Sequence, residues 1–353
     1  SIMNVIKGLC LLMLLLGSSL SYSQTARGLG SRDSLKLVRE YKQRAFQRQL
    51  PPGNYSGIAP IGNGRYAVVD DKSPTDGFYV FKIDVDSVTG VITNVENEGF
   101  RSSGVANRDG EGIAFVGESR TLWISGERDN KILEYQLDGR LTGRETMLPT
   151  GFAGASSSYG LEALTFDEVG RRLITTSEST LPCDGKQAGP MDPVVNKLRL
   201  VLIDYDSLHP QAQYFYEMDR PVSPQKQTAN YAFGVSELLA VDGAYLLVLE
   251  RELFVPKKKI GAFVHNKLYS VPMPLRGRQH GLDSIGTVHK SLLTEWETRL
   301  NLTVRSFANY EGMCVGPKLK NGNQVVILIA DSQNRYAGML KDWFKTIIVS
   351  SPQ

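Results

Sequence analysis

Acidic residues recur along the chain at similar positions relative to short apolar segments. One set follows a small or polar turn at the start of an apolar segment, and a second set ends the apolar segment that comes next. Glu111 precedes Glu127 by the same 16 residues that separate Glu162 from Glu178. The first set is Glu111, Glu162, Glu237 and Glu311, and the second is Asp70, Glu127, Glu178, Glu250 and Asp331.

Carboxylates that are brought together repel one another, and their pKa values rise unless a cation, an arginine or a shared proton compensates them. Calcium suits such a set because it takes about six to eight oxygen ligands. We therefore expect a calcium site, with the alternative that a single first-set glutamate only accepts backbone N–H bonds from a neighbouring strand. The expected metal ligands are Glu111, Glu162, Glu237, Glu311 and Asp331.

The same residues predict hydrolysis of an ester or phosphoester by water, polarised by the metal and assisted by an acid of the second set. Arginines beside the second set are suited to holding an oxyanion. The four histidines all lie outside the repeated openings, so neither a histidine zinc site nor a Ser-His-Asp triad is indicated. The expected catalytic residues are Glu111, Glu178, Glu250 and Arg251, and the expected substrate-binding residues are Arg128, Arg335 and Asn334.

The acids belong to an internal repeat of five units, each with three apolar segments rich in β-branched residues. A weaker fourth segment follows in four units, at 92–97, 145–148, 213–218 and 287–292. Repeated four-stranded antiparallel units predict an all-β fold, a β-propeller with five blades, or six if 235–308 hides another. Because the first strand of every blade lines the central channel, the distant acids are expected to converge there. Segments 181–196 and 253–266 are expected to be loops on this face.

The fifth unit ends before it can supply a fourth strand. Segment 34–41 precedes the first unit and has strand-like character. We expect it to pair as the outermost strand of the last blade and so close the ring; an amphipathic helix is the alternative.

The N-terminus predicts export. Lys7, the apolar run 9–16 and small residues at Ser21 and Ser23 have the pattern of a signal peptide over 1–23, which leaves one domain over 24–353, secreted or periplasmic. The run is shorter than the about 20 residues of a membrane-spanning helix.

Composition adds little about partners. A net charge of +3 with scattered basic residues, and a Lys257–Lys259 cluster without interleaved aromatics, does not indicate nucleic-acid binding, and a monomer is expected. The sequence leaves open whether Cys183 and Cys314 are bridged or free.

Five short motifs surround the recurring acids. They are Asp109-Gly110-Glu111-Gly112-Ile113, Gly160-Leu161-Glu162-Ala163-Leu164, Ser177-Glu178-Ser179, Leu249-Glu250-Arg251 and Asn309-Tyr310-Glu311-Gly312-Met313. As a set they resemble one family of secreted bacterial proteins, known as phytase-like or "esterase-like activity of phytase". The resemblance implies a propeller, export and an ester or phosphoester substrate.

Two alternatives stay open. One is a lactonase of the gluconolactonase or paraoxonase type, with Glu311, Asp331 and Asn334 around an axial calcium. The other is a propeller that only binds a glycan, peptide or envelope partner.

Overall fold

Five antiparallel sheets account for nearly all regular structure in the computed structural model, which describes residues 34–152, 160–273 and 285–352. The expected signal peptide lies outside these residues. Within them, no helix is long and apolar enough to cross a membrane.

Each sheet is one blade. Blade 5 takes its outermost strand from the N-terminal segment, β1 (Lys36–Glu40), and β2 (Arg44–Ala45) also pairs with it. The strands, from the innermost outward, are β3 (Tyr55–Gly62), β4 (Arg65–Asp70), β5 (Thr75–Val85) and β6 (Ile92–Ala106) in blade 1; β7 (Gly110–Val116), β8 (Thr121–Gly126), β9 (Lys131–Gln136) and β10 (Leu141–Glu145) in blade 2; β11 (Leu161–Asp167), β12 (Arg172–Ser177), β13 (Lys197–Asp204) and β14 (Pro210–Glu217) in blade 3; β15 (Thr228–Val241), β16 (Tyr245–Pro256), β17 (Phe263–Pro272) and β18 (Ser291–Arg299) in blade 4; and β19 (Asn309–Lys318), β20 (Gln324–Asp331), β21 (Trp343–Ser350) and β1 in blade 5.

The ring is held together between the blades. The innermost strands contact one another in the order β3, β7, β11, β15, β19 and back to β3. Five hydrophobic clusters each join two neighbouring blades, and Val68 with Ile327 in one of them bridges blades 1 and 5. Middle strands are buried on both faces, so their sequences are continuous apolar runs rather than alternating ones. The prediction of a five-bladed propeller is confirmed.

Ring closure by the N-terminal segment is also confirmed. Strand β1 pairs antiparallel with β21, with Leu37 opposite Val349 and Glu40 opposite Ile347. The ammonium of Lys345 in β21 lies 2.9 Å from the carboxylate of Glu40. The N-terminal and C-terminal segments therefore form one blade.

Other expectations about the elements are corrected. Region 235–308 contributes to one sheet, so it holds no sixth blade among its described residues. Segment 253–266 is not a loop, because β16 and β17 continue through it as a paired hairpin with only a short turn at its tip. The outer strand of blade 2 comes earlier than expected, and that of blade 4 comes later.

Candidate functional site: an acidic channel mouth

Every innermost strand carries a β-bulge, which lies within the first three residues of the strand in blades 1, 2, 3 and 5 and well inside the longer β15 in blade 4. The pairing with the second strand skips residues just after Tyr55, Gly110, Leu161, Val235 and Tyr310. A bulge inserts extra residues and re-aims the side chains beside it. The first residue of each bulge is Ser56, Glu111, Glu162, Ser236 and Glu311 in blades 1 to 5.

The residue after each bulge position faces a neighbouring blade at very short range. A Cβ atom on Gly57 would lie 2.4 Å from the carbonyl oxygen of Glu111, and one on Gly112 would lie 2.4 Å from the backbone nitrogen of Leu164. The acid-glycine pairs of the sequence therefore have two jobs: the acid occupies the bulge, and the glycine lets the innermost strands approach. The five residues at the second position are Gly57, Gly112, Ala163, Glu237 and Gly312.

The second strands are equally regular where they face the bulges. The residues opposite the last paired position before each bulge are Asp70, Gly126, Ser177, Glu250 and Ala330. The next residue along each chain segment therefore occupies an equivalent position at the mouth of the channel. These residues are Asp71, Glu127, Glu178, Arg251 and Asp331.

The bulge glutamates and these next residues interact electrostatically with one another. We call them the acidic cluster: Asp71, Glu111, Glu127, Glu162, Glu178, Arg251, Glu311 and Asp331. Burial, followed by Glu162, raises the pKa of Glu111 well above its usual range. Burial, followed by Glu178, does the same for Glu162. Burial and Glu311 likewise raise the pKa of Asp331.

Two members of the cluster titrate near neutrality. Burial, then Glu311, raises the pKa of Asp71 to about 7. Burial, then Glu178, raises the pKa of Glu127 to about 7, although a hydrogen bond with Glu111 works in the opposite direction. A bond between two carboxyl groups requires that one of them carries a proton. Lys72, whose ammonium lies 3.3 Å from Asp71 and from Asp109, supplies positive charge at this edge.

Arg251 is the cation within the cluster. It is 3% exposed, and its Nη2 lies 3.4 Å from Glu178 and 3.6 Å from Glu311. Its Nε and Nη1 make no hydrogen bond, and Oδ1 of Asp71 is also buried without a partner. Since buried polar groups are normally hydrogen-bonded, these atoms indicate a place for a bound polar group.

Two of the predicted residues lie elsewhere. Glu237 is 1% exposed, and its Oε1 accepts the backbone N–H groups of Leu164 and Leu238, so it ties blades 3 and 4 together. The carboxylate of Glu250 accepts the Tyr216 hydroxyl at 2.6 Å and the Lys290 ammonium at 2.8 Å. The predicted positions were wrong by one residue in blade 4. Ser236, not Glu237, occupies the bulge, and Arg251, not Glu250, occupies the position at the channel mouth.

The expected substrate-binding residues are only partly at the mouth. Arg128 is exposed and lies 3.2 Å from Asp109, beside the cluster. Arg335 instead binds Asp342 at 2.8 Å and the carbonyl oxygen of Leu50 at 2.7 Å. Asn334 is exposed, with a left-handed backbone. Asp71 was missed altogether, although its place directly after the Asp70 strand end was a usable signal.

The two thiols and the described histidines take no part in the cluster. Cys183 is exposed and Cys314 is buried, and both are free. His265 contacts Glu295 and Glu297 on blade 4. Among the described residues, no three histidine, cysteine, aspartate or glutamate side chains are grouped closely enough to hold a metal ion as they stand. Metal binding at the acidic cluster therefore requires its side chains to move together.

Fold and site together define a class: a five-bladed β-propeller with an acidic mouth at one end of its channel. The chain belongs to the Phytase-like family, described as "Esterase-like activity of phytase", which it matches over residues 51–333. That range contains every member of the acidic cluster. No curated protein matches the chain by sequence.

Solved structures resemble the chain only distantly. A streptogramin B lyase shares 13% identity at a TM-score of 0.37, with 88% of this chain and 98% of the other covered. An endo-arabinase from Bacteroides thetaiotaomicron shares 11% sequence identity at a TM-score of 0.44, and the match covers 87% of this chain and 98% of the arabinase. A calcium structure of a Trichoderma reesei family AA12 carbohydrate-active enzyme shares 10% sequence identity at a TM-score of 0.41, and the match covers 90% of this chain and 97% of the enzyme.

Proposed function

We propose that the acidic cluster binds a divalent cation, calcium by preference, and that the protein hydrolyses phosphate or carboxylic esters there. The observation that carries the proposal is the charge balance at the channel mouth. The cluster contains seven carboxyl groups and one buried arginine, and burial and mutual repulsion raise the pKa values of several of these acids. A bound cation would relieve this repulsion, since an opposite charge favours the ionised form.

The donor set fits a hard cation. All the candidate ligands are carboxylate oxygens, which suit calcium better than metals that prefer nitrogen or sulfur. Glu111, Glu162, Glu311 and Asp331 would hold the ion, because they come from three different blades and are the acids most deeply buried at the mouth. When bound, the ion would polarise an ester or phosphoester oxygen.

The remaining cluster residues have suitable properties for the other roles. A general base works best with a pKa near the working pH, which favours Glu127 or Asp71, whose pKa values are raised to about 7. Glu127 belongs to the second set of acids, from which the sequence predicts the base. The free Nε–H and Nη1–H groups of Arg251 would hold the negative charge that develops on the substrate. Glu178, 31% exposed, stands on the solvent side and keeps Arg251 oriented.

Hydrolysis of p-nitrophenyl phosphate, p-nitrophenyl acetate and a panel of lactones, each in calcium and in EDTA, tests the proposal. We expect calcium-dependent turnover that Glu111→Gln and Glu311→Gln reduce at least about a hundredfold. Glu118→Gln is the matched control, because Glu118 is exposed and pairs with Arg171 away from the cluster.

The panel also separates the alternatives. Turnover confined to lactones would make the protein a lactonase. Turnover that persists in both cluster variants would place catalysis outside the acidic cluster. If calcium binds to the cluster but no ester or lactone is hydrolysed, the propeller is a binding protein.

A further inference from the structure

Three loops meet at the channel-mouth face, between blades 4 and 5. They are 256–262 at the tip of the β16–β17 hairpin, 300–307 between β18 and β19, and 333–341 after β20. The backbone N–H of Leu300 donates to the carbonyl of Ala262 at 3.0 Å, and the Lys259 ammonium lies 5.6 Å from the centre of the Tyr336 ring. Together they form one continuous surface, which we call the rim patch.

The rim patch exposes large apolar side chains. Ile260 is 85% exposed, Leu302 76%, Val304 64% and Tyr336 54%. Beneath them, a separate cluster that includes Leu253, Ala262, Val264 and Phe307 already fills the interior of this region. The exposed side chains are therefore not needed for packing, and several together on one surface mark an interaction site.

The charge of the rim patch has a single sign. The three loops contain no aspartate or glutamate. Of their basic residues, Arg335 is neutralised by Asp342, whereas the others have no acidic partner within the loops. The basic residues are Lys257, Lys258, Lys259, Arg305, Arg335 and Lys341.

The tip of the β16–β17 hairpin lies away from the acidic cluster along the strand. Strand β16 continues for five residues beyond Arg251, to Pro256. At about 3.3 Å per residue, this part of β16 spans roughly 17 Å. A flat partner can therefore reach Ile260 without entering the channel.

We propose that the rim patch docks on the surface of an anionic lipid bilayer. Exposed aliphatic side chains beside lysines, with a tyrosine at the edge, match the two demands of such a surface: burial among acyl chains and attraction to acidic headgroups. Tyrosine is itself favoured at the boundary between water and lipid. A soluble polyanion would use the lysines and have no use for Ile260 and Leu302.

Docking in this way turns the channel mouth toward the bilayer, because the rim patch and the acidic cluster share one face. The proposal does not depend on catalysis at the cluster. It places the mouth within reach of molecules at the membrane surface.

Co-sedimentation with vesicles tests the proposal. We expect the protein to bind phosphatidylcholine vesicles that contain about one third phosphatidylglycerol, and to bind pure phosphatidylcholine at least about tenfold more weakly. The Ile260→Ser/Leu302→Ser variant should lose about tenfold or more in partitioning, and so should the variant with Lys257, Lys258 and Lys259 changed to Gln. Melting temperatures equal to wild type show that these variants are folded.

Substitutions on the opposite face are the matched controls. Val88 is 62% exposed, a fraction similar to the 64% of Val304, and lies in the β5–β6 turn, where the backbone of Lys320 bonds to Ser87. Val88→Ser and Lys320→Gln should leave vesicle binding unchanged. Wild-type protein that ignores phosphatidylglycerol overturns the proposal. Binding that needs the lysines but survives Ile260→Ser/Leu302→Ser also overturns it, and indicates a polyanion instead.

Discussion

At the scale of single residues, one position in the second strand of each blade decides which side chain lies at the channel mouth. Side chains along a strand alternate between faces, so a shift of one position moves a residue from the channel mouth to a contact with another blade. Asp71 and Arg251 lie at the mouth, whereas Asp70 and Glu250 precede them and point elsewhere. Blade 4 therefore contributes a cation where the other blades contribute acids.

Removing one buried charge should stabilise the protein when no cation is present. Glu162 is almost completely buried, and burial and neighbouring acids disfavour its ionised form. We expect Glu162→Gln to raise the melting temperature in EDTA at pH 8 by about 3 °C or more and to diminish the rise that calcium produces. Differential scanning calorimetry with Glu118→Gln as control checks this. A lower melting temperature in EDTA would instead mean that Glu162 is a structural hydrogen-bond acceptor.

The glycine after a bulge acid should be irreplaceable for steric reasons. Any Cβ atom at Gly112 would meet the backbone of Ala163 and Leu164 in the next blade. We expect Gly112→Ala to lower the free energy of unfolding by about 2 kcal/mol or more, measured by urea denaturation. Gly189→Ala is the control, since nothing lies within 4 Å of the added atom there. Equal effects of the two substitutions would contradict close approach of the innermost strands.

Sequence reasoning identified Glu111, Glu127, Glu162, Glu178, Glu311 and Asp331 correctly as neighbours, because the repeat alone places them on one axis. It failed in blade 4 since the bulge, which decides which residue faces the mouth, leaves no mark in the apolar pattern. The sequence predicts Glu237 at the position that Glu111 occupies in blade 2. In the structure Ser236 occupies the bulge instead, and its hydroxyl donates to the carbonyl oxygen of Tyr310 at 3.1 Å. Asp71 was overlooked because Asp70, the residue before it, already ends the apolar run.

At the scale of elements, long middle strands were predictable and outer strands were not. Continuous apolar runs such as Val325–Ile329 can only be buried on both faces, and this fixes their place. Outer strands are half exposed, so β10 and β18 are polar and their bounds were misplaced. The β16–β17 hairpin was read as a loop because its Lys257–Lys259 tip interrupts the apolar pattern.

Ring closure gives the N-terminal segment a large share of stability. A chain starting at residue 51 leaves the β21 edge unpaired and removes the buried side chains of Leu35, Phe46 and Leu50. It also removes the Gln43 acceptor of the buried Tyr310 hydroxyl. We expect a loss of more than about 3 kcal/mol in the free energy of unfolding.

Urea denaturation measures this loss against a chain starting at residue 34, which keeps β1. Added peptide 34–50 should restore part of the lost stability, because it can pair with β21. A truncated chain as stable as its control would show that β1 does not close the ring.

At the scale of the whole molecule, the two ends of the channel differ in character. The mouth at the strand starts gathers seven carboxyl groups, whereas the cavity of about 420 Å³ at the far end has a mixed lining, in which Ile58, Leu164 and Met313 lie beside Asp167, Glu168 and Asp242. Although the five blades have similar folds, the two ends of the channel therefore carry different side chains. The charges at the mouth should therefore control how the stability of the whole propeller depends on pH.

Stability without divalent cations should fall as pH rises from about 4 to 8. The pKa values of Asp71 and Glu127 are raised to about 7 in the folded state, whereas unfolded carboxyl groups titrate near about 4. Between these pH values the folded protein thus binds more protons than the unfolded chain. The stability that these two groups contribute is therefore fully present below about pH 4 and is lost as the pH rises past about 7. Melting temperatures in EDTA across this range measure the fall.

Calcium should reverse the trend, because it binds only ionised carboxylates and replaces the protons as compensation. The rise in melting temperature on adding calcium should be small at pH 5 and largest at pH 8, and magnesium should give a smaller rise because it dehydrates less readily. Glu111→Gln should flatten both the fall in EDTA and the response to calcium, while Glu118→Gln keeps them. A melting temperature that is independent of calcium at pH 8 would contradict calcium binding at the acidic cluster. Bound protons and Arg251 would then be what offsets the repulsion between its carboxyl groups.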